Sequence, residues 1–319
     1  MSLSCAFVLG AGLGTRLRPL TDERPKPLVP IFGKPLITFA FDHLISAGVS
    51  EFVVNTHHRP EAYGRILGER DGKAVYEGCP VTFRHEPLLL DTGGGIRNVA
   101  DLIGGRDFLV YNGDVLSDLP LAGAIAEHSR AGNLATLVLR SSPGPLQVRC
   151  DPTAGRITDI REAIGGRSEP KFLFTGITVL SPEIFDEIPV GEAVSIIPIY
   201  LDLIRRGARI GGCIVDEGSW FDLGSLEAYL GAHEWLQTEK LAYTAPGWPR
   251  AIDPSASVSE SARLGGFFSV GAHVQIGEGA TITDSVIWEN ARIAPGSSLT
   301  RCVVRDGCQG IGIMRGAVV

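Results

Sequence analysis

Between residues 258 and 299 an aliphatic side chain returns at every sixth position. Val258, Leu264, Val270, Ile276 and Ile282 keep this spacing, and after a one-residue slip Ile287, Ile293 and Leu299 continue it. Gly271 and Gly277 each follow one of the aliphatics. Eight hexads in near-register are the mark of a left-handed parallel β-helix, in which each aliphatic points into a prism and small residues permit the turns. The stretch is long enough for only a few coils. It predicts a short C-terminal domain over residues 251–319, set off by the breaker Pro246-Gly247-Trp248-Pro249.

Upstream the pattern is different. Residues 6–9, 51–55, 81–84, 107–111 and 135–140 are short β-branched or apolar runs that predict strands. Leu36, Ile37, Ala40, Phe41, Leu44 and Ile45 fall at helical spacing, with Gly48 as a stop, and residues 121–130 and 225–240 also predict helices. Alternation of this kind predicts an α/β domain over residues 1–245. Its core is expected to be a Rossmann-like mixed, mostly parallel sheet with helices on both faces. Ligands of such sheets bind beyond the carboxyl ends of the strands.

Bulk properties narrow the function. The chain has 319 residues and a net charge of −7, with no basic stripe, which argues against a nucleic-acid surface. No apolar run approaches the roughly 20 residues needed to span a bilayer. The N-terminus lacks a charged region, an apolar run and a cleavage site, so a cytoplasmic protein is expected. The six cysteines contain no C-x-x-C pair and are expected to be reduced thiols, not a zinc site or a disulfide frame.

The chemistry is concentrated in residues 8–35, V-L-G-A-G-L-G-T-R-L-R-P-L-T-D-E-R-P-K-P-L-V-P-I-F-G-K-P. The glycines are spaced G-x-G-x-G, not as the dinucleotide-binding G-x-G-x-x-G, and Pro19 and Pro25 interrupt any helix that would follow. The loop from Gly10 through Ala11, Gly12, Gly14 and Thr15 can wrap an anion with backbone N–H groups. Arg16 and Lys26 add two cations, and the prolines on either side of Lys26 restrict its backbone. This combination suits the β- and γ-phosphates of a nucleoside triphosphate.

The segment resembles the signature of the sugar-1-phosphate nucleotidyltransferases, G-x-G-x-R-(L)-x-P-L-T followed by P-K-P-L. Three further stretches carry the resemblance along the chain: Val110-Tyr111-Asn112-Gly113-Asp114, Trp220-Phe221-Asp222-Leu223-Gly224, and the hexapeptide tail. The resemblance implies that Asp114 and Asp222 hold Mg²⁺ and that Arg16, Lys26 and Asp114 are catalytic. It implies that Glu86 faces the nucleobase beside the turn Asp91-Thr92-Gly93-Gly94-Gly95, with Gly93 and Gly94 letting the backbone approach the base. Asn112, Glu162, Thr175 and Gly176 fall where the family binds the sugar. Two departures stand out. Glu162 is followed by Ala163 where many relatives carry a lysine for the sugar phosphate, leaving Lys171 or Arg161 as substitutes, and Thr175 replaces an asparagine.

The implied partners are a nucleoside triphosphate and a sugar 1-phosphate, with self-association through the tail. The proline–lysine stretch resembles mannose- and heptose-1-phosphate guanylyltransferases, and the triple-glycine turn resembles N-acetylmuramate-1-phosphate uridylyltransferases. A non-catalytic regulatory subunit and a bifunctional enzyme with an acyltransferase tail are the other classes. Retention of Arg16, Lys26, Asp114 and Asp222 favours an enzyme. His57 and His58 are adjacent on an extended segment and point apart, and His273 is alone in the tail, so these three are expected to be surface residues.

Overall fold

The computed structural model describes residues 3–142, 144–166, 168–245 and 247–319. Pro246, the first residue of the expected breaker, lies outside the described residues, as do Met1 and Ser2 at the N-terminus. The chain forms two compact units, one of Met1–Leu13 with Phe39–Trp220 and one of Gly14–Thr38 with Phe221–Val319. Among the described residues no helix is long and apolar enough to cross a membrane, and the cysteines are free thiols.

The first unit is built on a ten-stranded sheet: β1 (Cys5–Leu9), β2 (Glu51–Thr56), β3 (Lys73–Tyr76), β4 (Cys79–His85), β5 (Phe108–Asn112), β6 (Ala135–Arg140), β7 (Val148–Asp151), β8 (Arg156–Ile160), β9 (Lys171–Leu180) and β10 (Ile210–Ile214). The strand order is β7-β8-β10-β6-β9-β5-β1-β2-β4-β3. Strands β5, β1, β2 and β4 run parallel, and their inward residues, such as Phe7, Val53 and Val110, join one core.

The sheet is mixed, and less of it is parallel than expected. β9 is antiparallel to both β5 and β6, and β7 is antiparallel to β8 and β9. The reason is local: a short turn, such as the one joining β7 to β8, can connect only antiparallel strands, whereas parallel pairing needs a crossover. Helix α1 (Leu36–Ser46) begins at the first of the apolar positions read from the sequence, and Gly48 follows it at φ 94°. A second helix, Ala122–Ala131, ends on left-handed Gly132.

In the second unit, helix Leu226–Thr238 is capped by Ser225, whose hydroxyl accepts the Ala228 N–H at 3.2 Å. It packs on strands Arg263–Val270 and Thr281–Ile287. The tail strands pair in parallel, one coil to the next. Ser257 lies opposite Gln275, Gln275 opposite Arg292, and Arg292 opposite Gln309. The coil is therefore 18 residues long at first and 17 after the slip between Ile282 and Ile287. Val270, Ile276, Ile282, Ile287, Ile293 and Leu299 all enter one core, with Val258 and Leu264 packed at its end. The six-residue period thus marks residues that enter this core.

Candidate active site

In the first unit the glycine loop leaves β1 under tight control. Gly10 N–H donates to Asn55 Oδ1 at 2.8 Å, and Tyr63 OH donates to Gly10 O at 3.0 Å. A Cβ on Gly10 would stand 2.6 Å from Asn55 O, so only glycine fits. Ala11 is buried, whereas a Cβ on Gly12 would meet nothing within 4 Å. The loop is anchored at its first glycine and open at its second.

Asn55, at the end of β2, also donates to Glu86 Oε1 at 2.8 Å. Glu86 Oε2 accepts Leu90 N–H at 3.1 Å, and the residue is fully buried. It is therefore not a solvated loop charge. A Cβ on Gly95 would lie 2.9 Å from Asn55 Nδ2 and 3.1 Å from Glu86 Oε1, so Gly95 makes room for the pair. Sequence reading missed both Asn55 and Gly95; the available signal was an amide ending a β-branched strand.

The expected turn at residues 91–95 is instead the first part of a helix, Asp91–Asn98. Gly93 and Gly94 donate to Val194 O at 2.8 and 3.0 Å, and a Cβ on either would collide with the backbone of residues 192–196. The close approach these glycines allow is to the protein's own chain. The helix survives its glycines, each of which costs about 1 kcal/mol relative to alanine, because of this packing.

Asn112 ends β5, and Asp114 follows it after Gly113, whose N–H donates to Leu9 O at 3.0 Å. Gly176 interrupts β9 at φ 79° beside Asn112; a Cβ there would be 2.5 Å from Asn112 Nδ2. Thr175, expected at the sugar, is fully buried and its hydroxyl donates to Val138 O at 2.8 Å. Its carbonyl accepts Trp220 Nε1–H at 2.9 Å, so its observed contacts set the bulge that presents Gly176.

Glu162 lies 2.7 Å from Lys171 Nζ and 2.9 Å from Arg149 Nη2, and these hydrogen bonds, the lysine's first, hold its carboxyl below the usual range. A lysine thus stands beside Glu162 in space although Ala163 follows it in sequence. Arg161, the other substitute considered, donates to Gln147 Oε1 at 3.1 Å.

In the second unit, left-handed Gly14 opens the short helical turn Thr15–Leu17, and Gly14 O accepts the Thr21 hydroxyl at 2.9 Å. A second such turn, Lys26–Leu28, carries Lys26, which is only 5% exposed. Its ammonium lies 3.5 Å from Asp222 Oδ1, and Arg16 Nη2 lies 3.9 Å from Asp222 Oδ2. A Cβ on Gly224 would meet the Arg16 guanidinium at 2.8 Å, so this glycine keeps a berth for it. Two cations from the signature loop therefore converge on one carboxylate from the later W-x-D-x-G stretch.

Two of the three histidines expected at the surface can be placed. His57 Nδ1 is bonded to Glu86 O at 2.7 Å, and His273 is exposed in a coil turn. Among the described residues no group of three or more His, Cys, Asp or Glu side chains is gathered as a metal cage. Mg²⁺ does not need one: it is commonly held by one or two carboxylates together with water and phosphate oxygens.

Comparison with known proteins agrees with this chemistry. The family model described as nucleotidyl transferase matches residues 5–239, and the chain belongs to that family. It is 31% identical to the mannose-1-phosphate guanylyltransferase of Mycobacterium tuberculosis, across 93% of this chain and 83% of that protein. It is 34% identical to the N-acetylmuramate alpha-1-phosphate uridylyltransferase of Neisseria meningitidis serogroup B, across 69% of this chain and 93% of that one. In fold it is similar to a UDP-glucose pyrophosphorylase from Acinetobacter baumanii, with a TM-score of 0.61 at 21% identity over 75% of this chain and 95% of that one.

Proposed function

We propose that this nucleotidyltransferase joins a nucleoside triphosphate to a sugar 1-phosphate, releasing pyrophosphate, in the manner of a mannose-1-phosphate guanylyltransferase. The observation that carries the reading is the convergence of Arg16 and Lys26 on Asp222. A desolvated lysine beside an exposed arginine is suited to a polyanion far more than to a neutral ligand. The relative of Mycobacterium tuberculosis supports the guanylyl assignment because its match includes the tail. N-acetylmuramate-1-phosphate uridylyl transfer is the second reading, supported by the higher identity of the shorter relative.

In this reading a phosphate oxygen of the sugar 1-phosphate attacks the α-phosphorus. The bond from that phosphorus to the α–β bridging oxygen breaks, and pyrophosphate leaves in line. The nucleophile is already an anion, so no general base is required, and the protein contributes positioning and charge neutralisation. Gly10, Ala11, Gly12, Gly14 and Thr15 receive the triphosphate, and Arg16 and Lys26 take up the charge that builds on pyrophosphate. Glu86, with its oxygens engaged by Asn55 and the Leu90 N–H, acts toward the base by fixing the loop around it. Asn112 and Gly176 line the sugar, with Lys171 beside Glu162 for its phosphate.

Asp114 and Asp222 are the carboxylates assigned to Mg²⁺. Carboxylate oxygens are the donors a hard cation takes, and Asp222 keeps 41% of its side chain open to solvent for an incoming ligand. Bound there, the metal would supply charge neutralisation at the reacting phosphates.

The same reading makes residues 1–245 the transferase domain and residues 251–319 a left-handed β-helix, in a cytoplasmic enzyme. The last strand, Ile313–Arg315, exposes Ile313, and we assign it to contact with a second copy. Light scattering should give a dimer or larger for the full chain and a lower mass for Ile313→Lys; a monomeric wild type sinks that assignment.

The function is tested by pyrophosphate release from a grid of nucleoside triphosphates and sugar 1-phosphates with Mg²⁺. Release is expected with GTP and mannose 1-phosphate, or with UTP and N-acetylmuramate 1-phosphate under the second reading. Silence across the grid would overturn both and favour a regulatory subunit.

A further inference from the structure

The signature loop carries an arginine for which the proposed chemistry has no role. Arg24 stands two residues before Lys26 and is only 7% exposed. Its Nη2 lies 2.5 Å from Glu289 Oε1 and 3.4 Å from Asp306 Oδ2. Its guanidinium carbon is 5.0 Å from the centre of the Trp288 ring. All of these groups belong to the second unit.

Glu289 and Asp306 occupy corresponding corners of successive coils, because Ile287 pairs with Val304 in parallel register just before them. Neighbouring rungs of a parallel sheet are about 4.8 Å apart. Like charges placed opposite one another at that distance repel. A buried guanidinium shared by both carboxylates removes the repulsion, and the carboxylates in turn satisfy a charge that is costly to desolvate alone. Asn290 Nδ2 donates to Asp306 Oδ1 at 3.0 Å and holds the farther carboxylate in place.

The other end of the loop is tied to the same corner. Trp288 Nε1–H donates to Tyr229 OH at 3.0 Å, and Tyr229 OH donates to Pro30 O at 2.6 Å. Lys26 therefore sits between two anchors, Arg24 and Pro30; Trp288 lies against the guanidinium of the first and hydrogen-bonds Tyr229, which holds the second. A lysine is a point charge on a flexible four-carbon stem, so its aim depends on how firmly its backbone is fixed.

We propose that Trp288, Glu289 and Asp306 are positioning residues for the transferase reaction, acting through Arg24 and Tyr229 to aim Lys26 at the pyrophosphate. The coil stack is then a working part of the phosphate site. This inference rests on the reading that Lys26 receives pyrophosphate. A misplacement of about 1 Å in such a site can cost on the order of a hundredfold in rate.

Calorimetric titration of the full chain with inorganic pyrophosphate and Mg²⁺ tests it without knowledge of the sugar or the base. Lys26→Ala is expected to weaken binding by about tenfold or more, and Arg24→Ala and Glu289→Gln by several-fold to about tenfold. In the Lys26→Ala background, Arg24→Ala should have almost no further effect, because the two act as one unit. Arg24→Lys should recover part of the affinity. A purely structural role would lower Tm and leave the affinity of the folded protein unchanged. Should Arg24→Ala fail to fold, Glu289→Gln carries the same comparison. Wild-type affinity in Arg24→Ala or Glu289→Gln, or losses that multiply with that of Lys26→Ala, would overturn the inference while leaving the functional reading intact. Wild-type affinity in Lys26→Ala, or a wild type that binds no pyrophosphate, would instead remove the functional reading and this inference with it.

Discussion

Asn55 donates to the Glu86 carboxylate at 2.8 Å while its own Oδ1 accepts the Gly10 N–H at 2.8 Å. One carboxamide thus ties the first glycine of the loop after β1 to a fully buried acid. Asn55→Asp keeps the acceptor for Gly10 but sets a second carboxylate against Glu86. Like charges in a buried site raise the pKa of one of them above its unfolded value. The folded variant then holds a proton that the unfolded chain has released at neutral pH, so its stability falls as pH rises. A loss of about 3 kcal/mol at pH 8 is expected, with partial recovery at pH 5. Urea midpoints at the two values check this; equal losses at both would show that the two carboxylates do not interact.

Two glycines of the site should respond differently to one methyl group. A Cβ on Gly113 would stand 2.6 Å from the Leu9 carbonyl, which cannot move without breaking the hydrogen bond from Gly113 N–H. Gly113→Ala should cost about 2 kcal/mol of stability. On Gly224 the collision is with the end of the Arg16 side chain, which can swing away. Gly224→Ala should change stability by less than about 0.5 kcal/mol and yet lower pyrophosphate release about tenfold by displacing Arg16 from its berth. Thermal melts and turnover of both variants would separate the effects, and a Gly224→Ala enzyme with wild-type turnover would remove Arg16 from the site.

These contrasts show what the sequence could convey. The inward face of the coils was legible because every sixth position meets the same environment, so the pattern repeats in the chain itself. Strand and helix positions in the first unit were legible for the same local reason. Glu86 was harder: its burial depends on Asn55, 31 residues earlier. The triple glycine reads as a turn because its packing partner, Val194, is far along the chain. Nothing near Arg24 in the chain marks it, since its carboxylates lie 265 and 282 residues away. Lys171 could be named as a substitute, but nothing in spacing set it above Arg161; the 2.7 Å contact with Glu162 does.

That contact gives the third prediction. Lys171→Ala should raise KM for the sugar 1-phosphate about tenfold and leave KM for the nucleoside triphosphate within about twofold, because it removes a charge from one substrate only. Arg161→Ala should leave both unchanged, its guanidinium being engaged with Gln147. Steady-state kinetics with each substrate varied in turn decides between them. Equal effects of Lys171→Ala on both constants would remove it from the sugar-phosphate site.

His233 gives a pH dependence whose sign follows from its surroundings. Burial lowers its pKa from 6.5 to about 4, against a smaller opposing effect from its hydrogen bond to Tyr229 O. Nδ1 lies 3.0 Å from Tyr229 O, and Nε2 accepts the Phe32 N–H at 3.4 Å, so the ring is held neutral with its proton on Nδ1. Between pH 6.5 and about 4 the unfolded chain binds a proton that the folded chain refuses. Stability is therefore fully present above the unfolded pKa and falls as pH drops through that window, with a slope approaching one proton. His43 and His128, also held below their usual pKa by burial, add to the slope with the same sign. Urea midpoints from pH 7.5 to 4.5 should show His233→Gln less stable than wild type at pH 7.5 but shallower in its pH dependence. Parallel curves would mean that His233 titrates alike in both states. Because folded His233 stays neutral across this window, the pyrophosphate affinity of folded wild type and of His233→Gln should change in parallel with pH.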